Sequence, residues 1–237
     1  WELLHKRGRD FAHVDLTRAA ARFTVEELRD LQVLFNLAWM GFRAEEEEES
    51  VRALKAKGRQ FSEEDKAALL ATQHRILARV IPALAEAQRS GQAELTVTPF
   101  YHPILPLVID TNAAHRAKPQ AQLPPRFAFP EDARTHVRRA LDFAEPRFGG
   151  RPQGMWPAEG SVSPEAVEIL AAEGVRWCAT DEGNLLRSRP HRERRGGVLY
   201  RPYRVRAGDR EMAMIFRDRG LSDLIGFTYA RSPAREA

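Results

Sequence analysis

The residues of this 237-residue chain best placed to do chemistry are carboxylates and one histidine set among prolines and glycines. Glu159 lies in Trp156-Pro157-Ala158-Glu159-Gly160, just after a short apolar run and just before a helix start at Ser163-Pro164. Proline and glycine around one carboxylate predict a fixed, unusual backbone. Asp181 follows in Thr180-Asp181-Glu182-Gly183, at the end of the next apolar run. Two carboxylates on neighbouring strand ends would face one pocket, and paired carboxylates are what glycoside hydrolysis uses. Trp156 could stack on the apolar face of a sugar. His102, between Pro99 and Pro103, is expected in an extended segment, where it could bond a substrate hydroxyl or orient a carboxylate. Glu94 opens ELTVT, and a carboxylate in a core strand needs a partner, either in the pocket or on an arginine. The same residues also fit plainer roles: a capping loop around Glu159, an ordinary turn at Asp181-Glu182-Gly183, a buried structural histidine at 102.

The elements that would position them alternate. The first 90 residues read as helix, with Thr24 and Ser62 as caps, a bend at Pro82 and an end at Gly91. The five consecutive acids Glu45 to Glu49 predict a solvated helix start or loop. Strands are expected at 94–98, 154–156, 175–180, 198–206 and 211–216, and helices from Pro130, from Ser163 and over 218–225. The proline-rich stretch 99–130 reads as a long ordered loop. Such alternation argues for parallel strands with crossover helices, and polar residues at strand C-termini then line the site.

Composition excludes several classes. With 43% apolar and 30% charged residues the chain is globular rather than disordered. No apolar run is long enough to span a bilayer. One cysteine, Cys178, precludes a disulfide framework, so a reducing, cytoplasmic setting is expected. The net charge of +4 gives no general case for nucleic acid, although residues 187–210 carry nine arginines. That cluster fits a solvated loop or hairpin, or a patch for phosphate or an acidic polymer. The seven histidines show no i,i+3 or i,i+4 pair, so no metal site is expected. A GxSxG nucleophile elbow is absent.

Three segments, GQAELTVTPFYHPILPLVID, RPQGMWPAEGSVSPEAVEILAAEGVRWCATDEG and IFRDRGLSDLIGF, resemble glycoside hydrolase family 57. FNLAWM and KGRQFSEEDKAALLATQ are similar to its amylopullulanase-like members. The resemblance implies an α/β fold, an incomplete (β/α)7-type barrel with a helical N-terminal insertion or subdomain. Residues 1–90 would be the helical segment and 91–237 the partial barrel. It implies retaining hydrolysis or transglycosylation of an α-glucan polysaccharide or oligosaccharide, with no cofactor, no metal, no nucleic acid and no membrane. Glu159 stands at the position of the family nucleophile. Glu94 falls in the second motif and His102 in the adjacent HP segment, both lining the reacting sugar; Trp156 would form a sugar platform and Asp181 take a pocket role rather than acid catalysis. Arg219 stands where close relatives are expected to have histidine, and Asp218 and Asp223 are carboxylates in plausible places. The family's HQP-like first motif and its acid/base aspartate are not found, and residue 1 is Trp rather than Met. The chain is therefore expected to be the central part of a catalytic domain, inactive alone. Two alternatives are a carbohydrate deacetylase of the related distorted-barrel kind, which needs a His-x-x-x-His metal pair, and a non-catalytic module binding polysaccharide or an anionic partner.

Overall fold

A computed structural model describes residues 17, 20–189 and 197–232. Its contacts divide the chain into two compact units, residues 1–83 and 84–237. The sequence places the boundary near residue 90. It falls earlier because the last turns of the intervening helix bond to the second unit: Gln88 donates to the Phe148 carbonyl and accepts from the Leu95 amide.

The first unit is helical. α1 (Val25–Ala38), α2 (Phe42–Glu47), α3 (Glu49–Lys57) and α4 (Glu63–Ala78) close over Val33, Leu37, Val51, Leu54, Phe61 and Leu69. Both predicted capping boxes form, Thr24 with Glu27 and Ser62 with Asp65. The buried Asp30 carboxylate accepts the amides of Gln60 and Phe61, each at 2.8 Å, and so fixes the turn into α4. The acidic run is helical except at Glu48, which is extended between α2 and α3, and Glu49 is a helix start as expected. Arg43, Lys55, Arg75 and Arg79 pair with members of the run. The helix expected to bend at Pro82 instead ends at Ala78 and restarts as α5 (Val80–Arg89). Pro82 has no N–H to offer the Ala78 carbonyl, and its ring crowds that oxygen.

The second unit holds a five-stranded sheet in the order β1-β2-β3-β5-β4. β1 (Thr96–Val97), β2 (Gly154–Met155), β3 (Trp177–Asp181) and β5 (Arg210–Arg217) are parallel neighbours. β4 (Tyr203–Ala207) returns antiparallel to β5 around Gly208, whose φ of 63° the reversal requires. The strand expected over 198–206 is thus shorter and lies at a sheet edge as half of a hairpin. The proline-rich stretch is not all loop. It contains α6 (Leu105–Ile109) and α7 (Ala114–Ala117). α8 (Pro130–Phe148) and α9 (Pro164–Ala172) are the crossovers, each opened by proline at its first position. α8 buries Ala133, Val137, Ala140, Leu141 and Ala144, a stripe at helical spacing, against Met155, Leu170, Cys178 and Met214. α10 (Glu182–Ser188) follows β3 and α11 (Arg219–Asp223) follows β5. Parallel strands joined by crossover helices in an open sheet form the incomplete α/β barrel that the sequence predicts. No helix of the described residues is long and apolar enough to cross a membrane.

One ion pair ties α7 to the first turn of α9. Arg116 grips Glu165 through both guanidinium nitrogens at 2.6 and 2.7 Å and lowers its carboxyl to about 2, with partial burial opposing. A depressed folded-state value contributes stability above the ordinary pKa near 4.5 and loses it as pH falls toward about 2. Arg116→Gln is therefore expected to lower urea stability at pH 6 and to match the parent chain near pH 2. A stability difference independent of pH between those limits would contradict the pairing.

Candidate active site

The parallel strands deliver their C-terminal ends to one cleft of about 770 Å³, within the range of ligand sites. Ile104, Pro106, Leu107, Ala113, Ala114 and Ala117 make one apolar wall. Asp181, Asn184, Arg187, Arg217 and Arg219 make a charged wall. Trp156, Glu159 and Gly160 also line the cleft.

Glu159 is presented by a turn that the local sequence forces. The Trp156 amide still bonds the Val97 carbonyl at 2.9 Å, which prolongs the β1–β2 pairing. Pro157 then ends the strand, and a tight turn closes through Gly160 N–H to the Pro157 carbonyl at 2.8 Å. Glu159 takes φ 55°, ψ 20°, a left-handed conformation that costs a residue with a Cβ roughly 1–3 kcal/mol. Thr180 and Asn184 donate to the Gly160 carbonyl and so pin the turn from β3 and α10. The Glu159 side chain is left 73% exposed.

His102 meets it. Its Nε2 lies 3.3 Å from Glu159 Oε1, and its Nδ1 lies 3.3 Å from Thr98 Oγ1. The segment is not extended as expected. Tyr101 and His102 are both left-handed, with φ 65° and 57°, in a turn closed by His102 N–H to the Pro99 carbonyl. α8 holds the turn through His136, whose ring Nδ1 donates to the Phe100 carbonyl and whose own carbonyl accepts the Phe100 amide. Three of the four non-glycine residues with positive φ among the described residues thus belong to this site. In proteins generally, backbone strain of this kind clusters at active sites and ligand clamps.

Asp181 caps α10 through the Gly183 amide at 2.8 Å and accepts from Arg217 at 3.0 Å and from Arg219. Arg219, then the Gly183 amide and Arg217, hold its carboxyl far below the usual range, against partial burial. Asp181 is therefore an ionised anchor for arginines and has no proton to give.

The structure brings Glu159, His102, Trp156 and Asp181 to one end of the sheet. It does not bring Glu94 there. Glu94 precedes β1, at the opposite strand ends, and its carboxylate accepts the Trp177 indole N–H at 2.7 Å. Its partner is neither pocket nor arginine, because the Trp177 ring crosses the bare Gly154 of the intervening strand to reach it. Sequence reasoning missed Asn184 and Arg217, and took Arg187 only as the start of the arginine-rich stretch rather than as part of the cleft. The rule that strand C-termini carry the site would have found Arg217, the register partner of Asp181. Asp218 caps α11 and accepts from Tyr200, outside the cleft lining. Part of the Arg-rich stretch, residues 190–196, lies outside the described residues. Among the described residues no three His, Cys, Asp or Glu side chains group as a metal set.

The sequence model of glycosyl hydrolase family 57 matches residues 8–237. The chain belongs to glycosyl hydrolase family 57. Its relatives are considerably longer. Alpha-amylase 1 of Dictyoglomus thermophilum is 24% identical over 94 residues, which are 40% of this chain and 11% of that protein. The alpha-amylase AmyC from Thermotoga maritima is similar in fold, with a TM-score of 0.51 and 15% identity over 89% of this chain and 35% of its own. A family 57 branching enzyme from Pyrococcus horikoshii gives a TM-score of 0.48 at 17% identity, covering 83% of this chain and 34% of that one. This family 57 chain thus spans about a third or less of the length of these proteins.

Proposed function

We propose that this chain is the nucleophile-bearing part of a retaining catalytic domain that hydrolyses or transfers α-glucans, with amylopullulanase-like enzymes as its kin. The single observation that carries the reading is Glu159: a carboxylate strained into a left-handed turn at a parallel strand end, exposed in a cleft and touched by a histidine. A nucleophile must be ionised and aimed, and a rigid turn removes the freedom that would otherwise spoil its line of attack. In the first step a Glu159 oxygen bonds the anomeric carbon while the glycosidic bond breaks and the leaving oxygen takes a proton. In the second, water replaces Glu159 and yields its proton to the same acid/base. His102 orients the carboxylate, and Trp156 offers a face for the sugar. The other cleft carboxylate, Asp181, is tied to two arginines, so the proton donor is assigned to a segment outside the described cleft lining. The chain alone is then expected to turn over little α-glucan.

The reading is tested on the enzyme that carries this segment, by proton NMR of the first-formed product from a maltooligosaccharide. The α-anomer is expected first. Initial release of the β-anomer, or brisk starch hydrolysis by the 237-residue chain alone, would contradict it.

A further inference from the structure

The charged wall of the cleft carries more positive charge than a neutral glucan needs. Arg187, Arg217 and Arg219 line it, and the cleft's own carboxylates are Asp181 and Glu159. Asp181 is shared by Arg217 and Arg219, so one carboxylate answers two guanidinium groups. Arg187 has no ion-pair partner among the described residues, and Glu182 and Asp223 act on Arg219 only from outside the cleft lining. The arginines also converge. Arg187 and Arg219 each bring an Nη2 to within 3.2 Å of the point where a side chain on Gly183 would begin. Glycine at 183 keeps that space open, since a Cβ would also press on Asp181 Oδ1 at 2.9 Å. Asp181, ordered by the Gly183 amide, aims two of the three guanidinium groups.

Resting on the α-glucan reading of the same cleft, we propose that Arg187, Arg217 and Arg219 form an oxyanion subsite, which selects substrates bearing a phosphate or carboxylate group on a sugar unit. Planar guanidinium forks match both groups with paired hydrogen bonds. The position fits. Asp181 and Arg217 end strands one and two places along the sheet from the strand that presents Glu159, a separation of roughly 5–10 Å. That span places the anionic group on the reacting sugar or on its immediate neighbour. The apolar part of the cleft lining would meet the unsubstituted sugar face.

The test is calorimetric titration of the chain with inorganic phosphate, glucose 6-phosphate, glucuronate, glucose and maltotriose at low and high salt. Glucose 6-phosphate is expected to bind more tightly than glucose, with a preference that shrinks as salt rises. Arg187→Gln is expected to cut that preference about tenfold, the loss of one charge-assisted bond, and Arg187→Lys to cut it less. Glucuronate binding as well as glucose 6-phosphate supports a subsite that reads any oxyanion, and binding of phosphate compounds alone supports a phosphate-selective one. Equal affinity for glucose and both anionic sugars, or a preference untouched by Arg187→Gln, overturns the proposal. Binding of phosphate without maltotriose leaves the subsite standing and counts against the α-glucan reading; the reverse counts against the subsite alone.

Discussion

Replacing Glu159 by glutamine is expected to cut α-glucan turnover by at least about a thousandfold in the enzyme that carries this segment, with little change in KM. The amide is nearly isosteric and keeps a hydrogen-bond partner for His102, so the turn and the cleft survive while the nucleophile is lost. A merely positional role would leave most of the rate. Glu159→Ala separates the two further. It opens space where azide can attack the anomeric carbon, displacing the leaving group as the proton donor protonates it. Because azide would come from the side that Glu159 occupies, the expected product is a β-glycosyl azide, of inverted configuration. Retained turnover in Glu159→Gln, or no azide product from an activated glucoside in Glu159→Ala, would sink the assignment.

Gly154→Ala is expected to be the most damaging single methyl in the second unit. Thr96, Gly154 and Trp177 lie side by side on β1, β2 and β3. A Cβ at Gly154 would sit 2.3 Å from the Trp177 ring and 2.8 Å from Thr96 Cγ2. Neither contact can be relieved by a flexible chain end. The indole must swing off the sheet, which breaks its bond to Glu94 and shifts β2 against its neighbours. Overpacking of this kind costs about 3 kcal/mol, and at this chain length the Tm would fall by roughly 6–12 °C. Adding Trp177→Ala to Gly154→Ala should recover part of the loss, since the ring that clashes is then gone. An unchanged Tm for Gly154→Ala, measured by calorimetry, would mean that β2 does not run beneath the indole. Activity should fall with stability, because the Glu159 turn begins directly after β2.

How far each feature can be foreseen depends on how local its cause is. Thr24, Ser62, Pro130 and Ser163 announce their helices because capping chemistry acts within one turn. The Glu159 turn is legible for the same reason: Pro157 and Gly160 leave the chain few other paths. The pairing of Arg217 and Arg219 with Asp181 emerges only when β5 is placed in register beside β3, a contact across 36 and 38 positions. Glu94 misleads because its partner, Trp177, lies 83 positions away and reaches it only through the gap that Gly154 leaves. The two prolines around His102 predict an extended segment. The bonds from Phe100 to His136 and from His102 to Pro99 bend it into the left-handed turn that faces Glu159. Domain-level alternation is readable, and a hairpin is one reading of the arginine-rich stretch, but its place at Gly208-Asp209 and the antiparallel pairing of β4 with β5 are not.

The most direct measurement is mass spectrometry of the enzyme that carries this segment after brief exposure to a fluorinated α-glucosyl fluoride, which forms the glycosyl–enzyme ester faster than water can cleave it. A label on the Glu159 carboxylate, absent from Glu159→Gln, is the expected result. A label on any other residue, or inactivation without a covalent adduct, would contradict Glu159 as the nucleophile.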